Sequence, residues 1–74
     1  MTRLTVKSRD LIRVLQRLGF RVARKSKGSH WQLEHPDGRR TTVPVHQGCD
    51  IGPGLLRKIL RDVELSPGRL RELL

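Results

Sequence analysis

Seventy-four residues with one cysteine make a single domain with a small core, and neither an internal disulfide nor a zinc-ligand pattern is available to hold it. Sixteen Lys and Arg against seven Asp and Glu give a formal charge of +9, a field that attracts polyanions and makes nucleic acid the first partner to consider. Tyr is absent and Phe20 and Trp31 are the only aromatics, which argues against the base-stacking platforms of RRM or OB proteins. No apolar run approaches the ~20 residues that span a bilayer. Met1 to Lys7 lack the apolar stretch of a signal peptide. With Cys49 unpaired, a soluble cytoplasmic protein with no membrane partner is expected.

In chain order, residues 1–7 read as an N-terminal extension, partly flexible, to a domain that fills the rest of the 74 residues. Residues 9–18 read as an amphipathic helix. Ser8 suits its N-cap and Gly19 its C-terminal stop. Leu11, Ile12, Leu15 and Leu18 share one face, and Arg9, Arg13 and Arg17 share the other. Nine of the sixteen basic residues lie between Arg3 and Lys27, where Asp10 is the only acid. The arginine stripe reads equally as a solvated face or as a set of phosphate contacts.

Three short strands follow, Phe20 to Lys25, His30 to His35 and Arg39 to Val45. Pro36-Asp37-Gly38 fits a three-residue hairpin loop, with Gly38 in the left-handed position. That loop pairs Leu33 with Thr41 and Trp31 with Val43, so that apolar groups share a face. A two-residue turn would flip Val43 and Val45 to the wrong side. A four-residue loop, Ser26 to Ser29, pairs Lys25 with His30 and Arg21 with Glu34 in the first hairpin. The outward face then carries Arg21, Lys25, His30, Gln32, Glu34, Arg40, Thr42 and His46. Pro53 suits the first position of a helix whose stripe is Leu55, Leu56, Ile59, Leu60 and Val63, with Arg57, Lys58 and Arg61 opposite. Ser66-Pro67 starts a short terminal helix with Leu70, Leu73 and Leu74. The expected fold is α+β: α-β-β-β-α, a three-stranded antiparallel sheet with helices on one face and a short C-terminal helix.

His30 is the residue of greatest chemical interest. Strand alternation turns it away from Trp31 and Leu33, which places an imidazole on a wet, basic face. Imidazole acts as acid or base near neutral pH without special tuning. Lys25 across the hairpin would favour its neutral, proton-accepting form by like-charge repulsion. Gly28 permits the preceding turn and close approach of a phosphate. Ser29 either donates to that phosphate or bonds the turn. Lys25, Lys27, Arg39 and Arg40 flank His30 as phosphate-binding candidates. His46 fits a loop-fixing role and is also the first candidate for an auxiliary proton-transfer group. His35 reads as a packing residue. The three histidines and scattered Asp10, Asp37 and Asp50 lack metal-ligand spacing, so no metal and no cofactor is expected.

Gly19-Phe20, Lys27-Gly28-Ser29-His30, His35-Pro36-Asp37-Gly38-Arg39, Val43-Pro44-Val45-His46 and the Leu-x-x-Ile-Leu run from Leu56 to Leu60 together resemble the HicA toxin family. The likeness covers about Ser8 to Leu74, and the order and spacing of these pieces are specific. It implies a fold like that of double-stranded-RNA-binding domains and an endoribonuclease that cleaves mRNA. It also implies His30 as the catalytic residue and a HicB antitoxin as partner, expected here to cover the His30 face in a hetero-oligomer. Two departures lie in the scaffold. Asp62-Val63-Glu64 stands where relatives end the helix with a small residue and Gly, and Gly54-Leu55 replaces Gly-Thr. The competing expectations are a non-catalytic module of the double-stranded-RNA-binding type and a domain whose basic surface serves only an acidic protein.

Overall fold

Alternation of apolar and polar residues along two hairpins, with one amphipathic helix on either side, sets the architecture of the computed structural model. The structure describes residues 5–26, 29–45 and 50–74. Its elements run β1 (Val6–Lys7), α1 (Ser8–Arg17), β2 (Arg21–Lys25), β3 (His30–Glu34), β4 (Arg40–Pro44), β5 (Asp50–Ile51), α2 (Pro53–Val63) and α3 (Pro67–Leu73). β2, β3 and β4 form an antiparallel sheet in that order, and β1 pairs with β5 in a separate two-stranded ribbon. The α+β fold with helices packed on a three-stranded sheet is as expected. The ribbon is an addition. Val6, read as part of an extension, is buried and sits opposite buried Ile51.

The core lies between the inner sheet face and the helices. Leu11, Ile12, Val14 and Leu15 of α1 meet Phe20, Leu33 and Val43, with Leu56, Ile59, Leu60 and Val63 of α2 and Leu70 of α3 completing the cluster. Leu55 lies outside it, 40% exposed. At 100° per residue it falls about 90° from the centre of the buried stripe. Among the described residues no helix is long and apolar enough to cross a membrane.

Local signals at the element ends account for most boundaries. Gly19 takes φ +101°, and the Phe20 and Gly19 amides donate to the Leu15 and Gln16 carbonyls, the paired bonds of a Schellman stop. Ser66 caps α3 by accepting from the Arg69 amide. Ser8 departs from expectation. It is the first residue of α1, Lys7 holds the N-cap position, and no side chain caps the helix. The Ser8 hydroxyl donates instead to the Pro44 carbonyl at the end of β4.

The β3–β4 register matches the three-residue loop: Trp31 opposite Val43, Leu33 opposite Thr41, Glu34 opposite Arg40. Gly38 takes φ +102°, and the His35 amide donates to the Arg39 carbonyl. The β2–β3 register departs from the expected one. Arg21 faces Glu34 and Val22 faces Leu33 as anticipated, but the pairing slips between Val22 and Arg24. Beyond the slip Arg24 faces Gln32 and Lys25 faces Trp31, not His30. Ala23 is the extra residue of a β-bulge, and one extra residue sends every later side chain to the other face.

The hairpin tip joins sheet to helices. His35 Nε2 lies 3.1 Å from the Leu18 carbonyl at the end of α1, and the ring meets Phe20 edge-on at 5.0 Å. Arg39 Nη1 donates to the Val63 carbonyl at the end of α2 (2.6 Å), and the guanidinium stands 5.2 Å from the Phe20 centroid. Asp37 links the two. One carboxylate oxygen accepts from the Arg39 amide and the other from Arg39 Nε (2.8 Å). His35 Nδ1 lies 3.1 Å from the Asp37 amide and 3.0 Å from Asp37 Oδ1. Cations and donors at helix C-termini satisfy carbonyls left over by the helix and complement its dipole.

Candidate active site

The outward face of the β2–β3–β4 sheet carries the polar half of each strand. β3 contributes exposed His30 and Gln32 and half-buried Glu34. β4 contributes exposed Arg40 and Thr42. β2 contributes exposed Arg21 and, through the bulge, exposed Arg24.

His30 begins β3, with its main chain held from the β2 side. Its carbonyl accepts from the Ser26 amide (2.8 Å) and from the Ser26 hydroxyl (2.9 Å). On the other side its partner is Pro44. The Val45 amide donates to the Ser29 carbonyl one step earlier in the ladder, and the His35 amide donates to Arg39 five steps later. Antiparallel pairs alternate between bonded and non-bonded. The His30–Pro44 pair is therefore non-bonded, the type whose Cα atoms approach to about 4.5 Å and whose side chains lie closest. Pro44 lacks an amide proton, and the outer side of an edge strand is where that lack is tolerated.

The charges on this face are unevenly spread. Glu34 lies between Arg21 on β2 and Arg40 on β4, opposite each across its ladder. One acid thus offsets two bases at the end of the sheet far from His30, about 13 Å along the strand. Arg24 faces neutral Gln32 and lies nearer His30. Among the described bases of this face it is the one with no acid opposite it in the ladder. Arg24 was not among the expected phosphate contacts. Its signal lies in the bulge, which swaps the faces of Arg24 and Lys25.

The other expected residues scatter. Lys25 lies on the Trp31 side, its Nζ 4.1 Å from the ring centroid in a cation–π contact. The like-charge pressure it was expected to exert on His30 across the hairpin is replaced by this contact. Arg40 is on the His30 face but at its far end. Arg39 is half-buried in the hairpin tip, with Asp37 and the end of α2 as partners. Ser29 is half-buried and bonded through its main chain to Val45. Lys27, Gly28 and His46, and with them Cys49, lie outside the described residues. Among the described residues no group of three His, Cys, Asp or Glu could hold a metal ion.

A solvent-facing imidazole on a basic sheet, after Gly28-Ser29 in the sequence and ahead of a Pro-Asp-Gly hairpin, is thus present in one molecule. The family model of the HicA toxin of bacterial toxin–antitoxin systems matches this sequence over residues 8–65. The chain belongs to the HicA toxin family. The match runs from the first residue of α1 to the residue after the Glu64 stop, and takes in the whole three-stranded sheet. Membership assigns this HicA chain the toxin role in a toxin–antitoxin pair. The search of curated proteins finds no match.

Proposed function

We propose that this HicA chain is an endoribonuclease that cleaves mRNA with His30 as its catalytic residue, and that a HicB-type antitoxin holds it off by covering the His30 face. The observation that carries the reading is His30 itself: an exposed imidazole on the central strand, its main chain hydrogen-bonded to Ser26 and paired with Pro44, on a basic sheet face of a toxin-family domain.

The chemistry uses a nucleophile that the substrate supplies. Neutral His30 takes the proton of a ribose 2′-hydroxyl, and the 2′-oxygen attacks the adjacent phosphorus. The bond from phosphorus to the 5′-oxygen breaks, and that oxygen takes up a proton. The products are a 2′,3′-cyclic phosphate and a 5′-hydroxyl end. Because the attacking oxygen belongs to the RNA, the step needs neither an activated water nor a metal to generate one. Arg24 and Arg21 draw in the backbone from the β2 side, Arg40 extends the patch, and Lys27 stays a phosphate-binding candidate by its place in the sequence. His46 is the first candidate to protonate the leaving oxygen. A cytoplasmic site of action follows from an mRNA substrate.

Expression of wild type and His30→Ala, with growth and RNA integrity followed together, tests the reading. Growth arrest and RNA decay are expected from the wild type and lost in the variant. RNA binding without cleavage by the wild type would favour the non-catalytic RNA-binding module instead. Arrest and decay from folded His30→Ala equal to wild type would remove His30 from the mechanism.

A further inference from the structure

We infer that Ser8 is a positioning residue for His30, acting through Pro44. The inference rests on the reading of His30 as the catalytic group. Ser8 is one of two buried polar residues among those described, 2% exposed at the start of α1. A serine there has an obvious local use, which is to cap the helix, and it does not serve it. Its hydroxyl reaches 36 residues along the chain to the carbonyl of Pro44. Pro44 is the cross-strand partner of His30.

Geometry makes that carbonyl a sensitive point. In the non-bonded pair the Pro44 carbonyl turns away from β3, toward the open edge of the sheet. Nothing in the ladder holds it. The Ser8 hydroxyl supplies the missing bond and ties the last residue of β4 to the first turn of α1. As cross-strand partners Pro44 and His30 point to the same outward face, which sets the rigid Pro44 ring next to the position of the imidazole. The Val45–Ser29 bond also ties this end of β4 to β3. Losing the Ser8 bond loosens the Pro44 side of the His30 pair, while the rest of the sheet keeps its register.

A merely structural serine would change stability and nothing else, and Ser66 provides the control. Ser66 also spends its hydroxyl on one main-chain bond, but at the start of α3 and away from the sheet. The test compares full-length wild type, Ser8→Ala, Ser8→Thr and Ser66→Ala at a temperature where all are folded. The readouts are steady-state cleavage of a short RNA and the imidazole resonances of His30. Ser8→Ala is expected to lower kcat about tenfold to a hundredfold with KM little changed, since misplacement of a reacting group acts on the chemical step. Its His30 resonances shift and broaden. Ser8→Thr keeps the hydroxyl and restores both readouts, and Ser66→Ala moves neither. If Ser8→Ala does not fold, Pro44→Ala tests the other half of the proposal, the Pro44 ring beside His30, because it removes the ring and leaves the carbonyl to accept from Ser8. It is expected to lower kcat likewise. Wild-type kcat together with unmoved His30 resonances in folded Ser8→Ala, or in Pro44→Ala where it replaces it, overturns the inference. Retained activity in His30→Ala would instead overturn the catalytic reading, and the resonances would still decide whether Ser8 sets the ring.

Discussion

Arg39 and Arg40 are adjacent in sequence and were both expected to meet phosphate, yet they serve different parts of the molecule. Arg40 starts β4 and faces solvent on the His30 side. Arg39 turns back and donates to Asp37 and to the carbonyl that ends α2. Hydrogen bonds from a charged donor contribute about 1.5–3 kcal/mol each. Arg39→Ala should therefore cost about 2–3 kcal/mol in denaturant unfolding, and Arg40→Ala should change stability little. Asp37 responds to acid for the same reason. The Arg39 amide, and then the Arg39 side chain and its charge with that of His35, hold its carboxyl below the ordinary 3.8. A carboxylate whose folded pKa is depressed stabilises fully above its unfolded value and loses that contribution as pH falls through the lower one. Stability of wild type should decline as pH drops below about 4. Asp37→Asn should be less stable at neutral pH and should show a flatter acid limb in pH-dependent melting.

Helix and strand ends show what could be read in advance and what could not. Gly19, Gly38, Pro53 and Ser66 act as their chemistry dictates, because each answers a local need for a left-handed residue, a fixed φ or a cap. The Pro36-Asp37-Gly38 loop set the β3–β4 register, since only one loop length puts Trp31, Leu33, Thr41 and Val43 on one face. The bulge at Ala23 had no such marker. A small residue fits either face, and Val22 pairs correctly before the slip, so the alternation along β2 gave no conflict to resolve. Lys25 and Arg24 exchanged roles as a result. Ser8 was ambiguous in another way. Its residue type suits a cap, and only the approach of β4, a long-range event, redirects the hydroxyl. The end of α2 carries a cost that was visible in the sequence. Glu64 stands at φ 56°, a left-handed position that favours Gly. The Leu65 and Glu64 amides still close the stop on Leu60 and Arg61. Glu64→Gly should raise stability by about 1 kcal/mol, seen as a higher melting temperature with unchanged activity.

At the scale of the whole molecule, two layers divide the labour. The helices and the hairpin tip hold the inner sheet face, and the outer face is left for a ligand. Under the proposed function, the net charge of +9 draws RNA to the protein. The arrangement of bases decides where it lies. With Glu34 opposite both Arg21 and Arg40, Arg24 is the described base on this face with no acid across from it, and it lies on the β2 side near His30. Arg24→Glu should weaken RNA binding more than Lys25→Glu and should lower the salt dependence of the affinity, because fewer counterions are released. Fluorescence anisotropy with a short RNA across a salt series reads both. An equal effect of the two substitutions would mean that the bulge does not steer the RNA. The same face is the economical place for an antitoxin, since one surface then excludes RNA and covers His30 together.

His30 is the group proposed to move the proton. The most direct measurement is cleavage of one purified RNA by purified wild type and His30→Ala, with the ends of the products identified and the melting temperatures compared. The prediction is a 2′,3′-cyclic phosphate, or the monophosphate from its hydrolysis, with the wild type, and no cleavage by a variant that melts as the wild type does. Cleavage at the wild-type rate by folded His30→Ala would contradict it.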